Sequence, residues 1–100
     1  MEIRYEQPLR DYILKKGKKY LLVEMVEINN SDIDMTELHV RFVNQRLRDQ
    51  FVEKKRYRVV ETELGEVLFP RFPLQMEETV SFGLRSFLGI KSVRCTGIKV

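Results

Sequence analysis

The two residue types that most often act together as nucleophile and general base each occur once in this 100-residue chain, as His39 and Cys95. A catalytic pair would need them adjacent in space, with a third group to orient the imidazole. His39 falls in the polar phase of an alternating segment, which is typical of a solvated side chain. Cys95 falls in an apolar phase, where a single cysteine behaves as a small hydrophobe. The positions of these two residues therefore argue against nucleophilic catalysis. A single cysteine can form neither an internal disulfide nor a zinc-finger site.

The acidic residues form two clusters, at 32–37 and 61–66. The first faintly resembles a calcium-binding loop, but it lacks the glycine of the sharp turn and the closing acidic residue. The second brackets a predicted turn and is typical of a solvated hairpin. The five glycines stand alone, so no glycine-rich phosphate loop is present. The sequence thus predicts a protein that is not an enzyme and has neither a metal nor a cofactor.

Charge segregation is the strongest functional signal in the sequence. The net charge is only +3, yet residues 10–19 hold five Lys or Arg against one acid. Residues 41–58 hold seven against two, whereas residues 24–37 hold five acids and no base. The chain therefore has two basic segments and one acidic stretch, and the sequence alone does not say whether the basic segments converge on one face.

Two interpretations of these charges lead to different partners. Nucleic acid would follow the Lys and Arg side chains and stack its bases on exposed rings. Complementary basic and acidic surfaces also suit protein partners or self-association, and free strand edges can add a strand from another chain. We expect Phe42 and Tyr57 to belong to the core, because a small domain needs its large apolar groups inside. The candidate contact residues for either partner are Arg41, Arg46, Arg48, Lys54, Lys55, Arg56, Arg58, Phe69, Arg71 and Phe72.

Composition indicates one small globular domain over residues 1–100. Apolar residues make up 43% of the chain and charged residues 33%, which argues against disorder. No apolar run approaches a membrane span, and the N-terminus does not have the pattern of a signal peptide, so we expect a cytoplasmic protein without a membrane partner. Alanine is absent and valine occurs 11 times, which favours strands over helices.

Alternating apolar and polar residues place the strands, and turn residues separate them. Residues 38–43 alternate most clearly, with Leu38, Val40 and Phe42 on one face. The polar loop 29–32 predicts that this strand pairs antiparallel with the one before it, and Gly97 is expected to mark a bulge. The predicted strands are 1–5, 20–28, 38–43, 56–61, 66–72, 79–88 and 92–100.

For two segments the sequence is compatible with either of two local structures. Residues 8–16 fit a helix that Pro8 begins and Gly17 ends, and they also fit the first arm of a hairpin. Residues 44–56 fit a short helix across one edge of a sheet, and equally a solvated loop held by Leu47 and Phe51.

The sequence therefore predicts a mainly β fold, an antiparallel sandwich or a small, partly open barrel of six to seven short strands with at most two short helices. The function it favours is a non-catalytic protein-binding or assembly module, of the kind found among small accessory proteins. A nucleic-acid-binding barrel that uses a basic face is the alternative, and an enzyme or metal protein is the third.

Overall fold

The computed structural model of the chain describes residues 1–29, 34–71 and 74–99, with side chains at 1–26, 37–71 and 74–99. Seven strands and two helices follow one another along these residues. They are β1 (Glu2–Tyr5), α1 (Gln7–Lys16), β2 (Tyr20–Asn29), β3 (Asp34–Val43), α2 (Gln45–Glu53), β4 (Arg58–Thr62), β5 (Gly65–Phe69), β6 (Gln75–Phe87) and β7 (Ile90–Lys99).

The strands form two sheets, in the orders β1-β6-β7 and β3-β2-β5-β4. The pairs β2–β3, β4–β5 and β6–β7 are antiparallel, whereas β1–β6 and β2–β5 are parallel. Over the described residues no strand of one sheet pairs with a strand of the other. The fold is therefore a sandwich, as the sequence predicts, with mixed rather than purely antiparallel sheets.

The main core lies between the two sheets. Its fully buried members come from both sheets and from α1, and Leu38, Val40 and Phe42 pack against them as expected. These residues project inward because side chains alternate along a strand. The buried residues are Leu9, Ile13, Leu21, Val23, Val67, Phe69, Val80 and Phe82.

A smaller core lies on the opposite face of the four-stranded sheet, beneath α2. Leu22 and Leu68 project outward from β2 and β5, and Phe51 of α2 covers them. The central strands of this sheet are thus buried on both faces, which explains why residues 20–23 are continuously apolar.

Both helices begin and end on recognisable residues. Pro8 occupies the first turn of α1, and Gly17 ends it with a left-handed backbone at φ 66°. Asn44 caps α2, since its side chain accepts a hydrogen bond from the backbone N–H of Leu47 at 2.9 Å. The helical alternative is therefore correct for both open segments, although α2 covers a sheet face and not a sheet edge.

The predicted strands are found with shifted bounds. β5 stops at Phe69, before Pro70, so the prediction that it runs to residue 72 is wrong; residues 72 and 73 lie outside the described part of the chain. The register of β6 and β7 shifts between Met76 and Ser81, opposite Gly97, which confirms an irregularity there. In the described residues, no helix is long and apolar enough to cross a membrane.

Candidate functional site

The clearest concave surface follows β3, at the side of the sandwich where β3 and β7 are the outermost strands. Four hollows lie next to one another along this surface. Val40 and Ser92 line both the first and the second hollow, and Phe42 lines the second, the third and the fourth. We call these neighbouring hollows together the β3 groove. Among the described residues that line it, none is acidic. Its cations are Lys16, Lys18, Lys19, Arg41, Arg46, Arg85, Lys91 and Arg94.

Two aromatic rings form the middle of the β3 groove. The rings of Tyr12 and Phe42 are 6.1 Å apart between centroids. Lys91 Nζ lies 5.4 Å from the centroid of Tyr12, and Lys18 Nζ lies 6.0 Å from that of Phe42. Cations therefore flank the paired rings on both sides, at distances where a cation and a ring attract.

Two of the groove cations are held by acids outside its lining. Arg41 Nε donates to Glu24 at 2.8 Å, and Arg94 donates to Glu6 at 2.5 Å. The side chains of Lys16, Lys18, Lys19 and Arg46 are all exposed. Four exposed cations therefore lie at the end of the groove where α1 stops and α2 starts.

The predicted contact residues do not form one face. Arg41 and Arg46 line the β3 groove, while Arg48 packs at a different place and donates to Glu66 at 2.8 Å. The nine residues of α2 extend about 13 Å, close to the roughly 14 Å from β3 to β4 across three strand spacings. The second basic segment is thus divided between opposite edges of one sheet. Its far part contains Lys54, Lys55, Arg56 and Arg58.

Two of the predicted contact residues, Phe69 and Phe72, have aromatic rings on which a ligand could stack. Phe69 is fully buried in the main core and presents no ring to a ligand, which corrects its place among the candidates. Phe72 lies outside the described residues. Arg71 donates to the backbone oxygen of Arg56 at 2.8 Å and so joins the far basic part.

A second candidate surface is the turn between β6 and β7, residues 87–90, which we call the hairpin tip. Phe87, Leu88 and Ile90 are 71%, 86% and 73% exposed. Three of the five large apolar side chains that are exposed in the described residues thus occur within four positions. Such clustering marks interaction sites, whereas scattered exposed apolar residues are ordinary.

The backbone of the hairpin tip is unusual for its residues. Phe87 pairs with Ile90, so the turn has two central residues, and both have positive φ: 51° at Leu88 and 80° at Gly89. Such turns favour Asn or Gly, because a branched bulky side chain is strained in this conformation. A leucine at this position is both exposed and conformationally costly.

A third surface lies on the other side of the sandwich, between β1 and β4. This hollow of about 220 Å³, the β1–β4 hollow, is lined by Met1, Ile3, Tyr5, Val60, Glu61, Thr62 and Glu63. Tyr5 and Thr62 share a hydrogen bond of 2.8 Å, and burial raises the pKa of Tyr5, so its phenol is neutral. The Arg10 guanidinium lowers the pKa of Glu63, and Glu61 is exposed. The hollow therefore combines an apolar floor with an acidic rim.

The residues considered for catalysis face different ways. His39 lies on the outer face of β3, where its Nε2 is 3.1 Å from Glu37 Oε2. Cys95 packs against the main core. They form no Cys–His pair, and no group of three potential metal ligands occurs in the part of the chain that the structure describes.

Sequence reasoning missed the hairpin tip and the contribution of β7 to the β3 groove. The tip had a detectable signal, since a turn is normally polar and this one reads Phe-Leu-Gly-Ile. A weaker signal indicated the groove cations of β6 and β7, since the chain contains four Lys or Arg and no acidic residue after Glu78.

Comparison with known proteins assigns no family, because no family model matches the chain and no significantly similar curated sequence or solved structure was found. The class that the fold and surfaces define is a mixed β-sandwich with a basic groove, an apolar hairpin tip and an acidic hollow.

Proposed function

We propose that this protein is a non-catalytic assembly module, in which the hairpin tip of one copy binds the β1–β4 hollow of the next copy. The observation that carries the proposal is the exposure of Phe87, Leu88 and Ile90 at one turn. Apolar anchors that enter a hollow with an apolar floor are the usual centre of a protein interface.

Opposite charges support this pairing of surfaces. Arg85 and Lys91 flank the tip, and both are exposed. Glu61 and Glu63 rim the hollow, and because Arg10 pairs with Glu63, the net negative charge of the rim comes from Glu61. Docking of one tip on another would bring like charges together, which is unfavourable, whereas the acidic rim attracts the tip and fixes its orientation.

Topology makes the contact intermolecular. Tyr5 pairs with Phe82 in the β1–β6 ladder, and Phe87 is five residues further along β6. The tip therefore extends about 16 Å beyond the β1–β4 hollow, and it cannot fold back into the hollow of its own chain. We take each tip to enter a copy other than the one that fills its own hollow; such a contact is heterologous and generates an open chain or a ring.

The strain at Leu88 supplies an independent argument. A left-handed backbone costs about 1–2 kcal/mol for an ordinary residue, and Asn tolerates it better. A leucine at this position lowers the stability of the isolated molecule, and burial of its side chain against a partner compensates for that cost.

Light scattering coupled to size-exclusion chromatography tests the proposal with Leu88→Asn. Wild-type mass should rise beyond that of two chains as the concentration increases, because a heterologous contact does not stop at two copies. Leu88→Asn should be monomeric and also more stable to urea by about 1 kcal/mol, because Asn suits the turn. The matched control is Leu14→Gln, which removes a leucine that is 68% exposed on α1 and should assemble like the wild type.

Two results would contradict the proposal. One is a wild-type protein that stays monomeric up to millimolar concentration. The other is a mass that saturates at two chains, since that would indicate a symmetric contact.

A further inference from the structure

We infer that the β3 groove is a binding site for single-stranded nucleic acid, a second activity that does not depend on assembly through the hairpin tip. The sugar–phosphate backbone would follow the line of Lys and Arg side chains, and unpaired bases would stack on the rings at the centre. The inference rests on two properties of the groove, its charge and its rings.

The charge of the groove is concentrated by the fold. Strand pairing brings two cationic stretches together, at 16–19 and 41–46, although more than twenty residues separate them in sequence. β6 and β7 add Arg85, Lys91 and Arg94 along the same depression. No acidic residue is found among its described lining residues. Arg41 and Arg94 pair with Glu24 and Glu6 outside the lining, and the other six groove cations are exposed to a polyanion.

Two aromatic rings lie in the middle of the groove, where the bases of a bound strand could stack on them. Tyr12 and Phe42 pack against the main core but are only partly buried, and both line the groove between Lys91 and Lys18. Single-strand binders use this combination of a cationic path and aromatic platforms, because every base has a face that can stack.

The groove favours a single strand over two other polyanions. The bases of a duplex are stacked on one another, so they cannot also lie on rings at the floor of a depression. An acidic polypeptide can pair with the cations, but it has no planar bases to stack on Tyr12 and Phe42. Nucleic acid with unpaired bases is the polyanion that uses both features.

Fluorescence anisotropy with a labelled oligonucleotide of about 12 nucleotides tests this inference. If four to six of the groove cations contact phosphates, the logarithm of the affinity should fall with the logarithm of salt concentration with a slope of about −3 to −4. A duplex of the same length and a poly-glutamate peptide should both bind more weakly.

Two triple variants separate the groove from net charge. Lys16→Glu/Lys18→Glu/Lys19→Glu should lose at least about tenfold in affinity. Lys54→Glu/Lys55→Glu/Arg56→Glu changes the net charge by the same amount at the opposite edge of the sheet, and should lose less than about threefold. Tyr12→Leu keeps an apolar side chain and should weaken binding of the single strand at least about fivefold, with no effect on poly-glutamate.

Several outcomes would overturn the inference. They are absence of binding at low salt, equal loss in the two triple variants, and duplex or poly-glutamate binding as tight as that of the single strand. Leu88→Asn should bind the oligonucleotide as the wild type does, so failure of the assembly proposal leaves this result unchanged.

Discussion

Tyr20 pairs with Val43 in the antiparallel β2–β3 ladder, so the first residue of β2 lies beside the last residue of β3. α1 ends four residues before Tyr20, and Asn44 begins α2 immediately after Val43. One strand pairing therefore places the end of one helix beside the start of the other. The four exposed cations at this end of the β3 groove lie together as a direct consequence of this register.

Replacement of Phe69 by Ala should destabilise the protein strongly. The side chain is fully buried between the sheets, so its truncation should lower the free energy of unfolding by about 3–5 kcal/mol. Urea unfolding followed by circular dichroism measures the change, and Phe69→Leu should lose much less. A loss below about 1 kcal/mol for Phe69→Ala would show that the ring lies at the surface, contrary to the structure.

Replacement of Gly97 by Ala should destabilise the protein more than the same change at Gly17. Both glycines have positive φ, at 93° and 66°. A Cβ at position 97 would lie 2.3 Å from the backbone oxygen of Thr79, whereas nothing lies within 4 Å of one at position 17.

The expected cost is about 1 kcal/mol for Gly17→Ala, from backbone strain alone. For Gly97→Ala it is at least about 2–3 kcal/mol, because β6 must also move. Thermal unfolding of the two variants measures the difference. Equal melting temperatures would contradict the close approach of β6 and β7 at this position.

The thiol of Cys95 should react slowly at neutral pH. Burial raises the pKa of Cys95 to about 11, and the thiolate is the reactive form. At pH 8 iodoacetamide should therefore modify the folded protein about 100-fold more slowly than the urea-unfolded protein, whose thiol has an ordinary pKa. The rate in the folded state should increase through pH 9 and 10 towards a midpoint near 11. A midpoint below pH 9 would place Cys95 in contact with solvent or with a cation.

The sequence predicts the strands well where one face is buried. Leu38, Val40 and Phe42 alternate with polar residues, and all three pack against the main core. The helix end at Gly17 is also predicted, because it depends on a local property of the backbone. The local pattern does not determine how strands pair, because nothing in residues 2–5 distinguishes a parallel partner strand from an antiparallel one.

The candidate surfaces depend on long-range pairing, and for that reason the sequence predicts them only in part. Arg41 and Arg46, two of the predicted contact residues, line the β3 groove. Lys54, Lys55 and Arg56 are close to them in sequence, but α2 carries the chain across the sheet to the opposite edge. Phe69 is among the predicted contact residues, yet its own position on β5 faces the main core.

The most direct test of head-to-tail assembly is to mix two variants, each of which lacks one of the two surfaces of the assembly contact. Leu88→Asn keeps the β1–β4 hollow and loses the tip. Glu61→Arg/Glu63→Gln keeps the tip and loses the acidic rim, while the glutamine can still accept a hydrogen bond from Arg10. Each variant alone should be monomeric by light scattering, and an equimolar mixture should form a complex of two chains and nothing larger. A mixture that remains monomeric, or a variant that assembles alone, would contradict head-to-tail assembly.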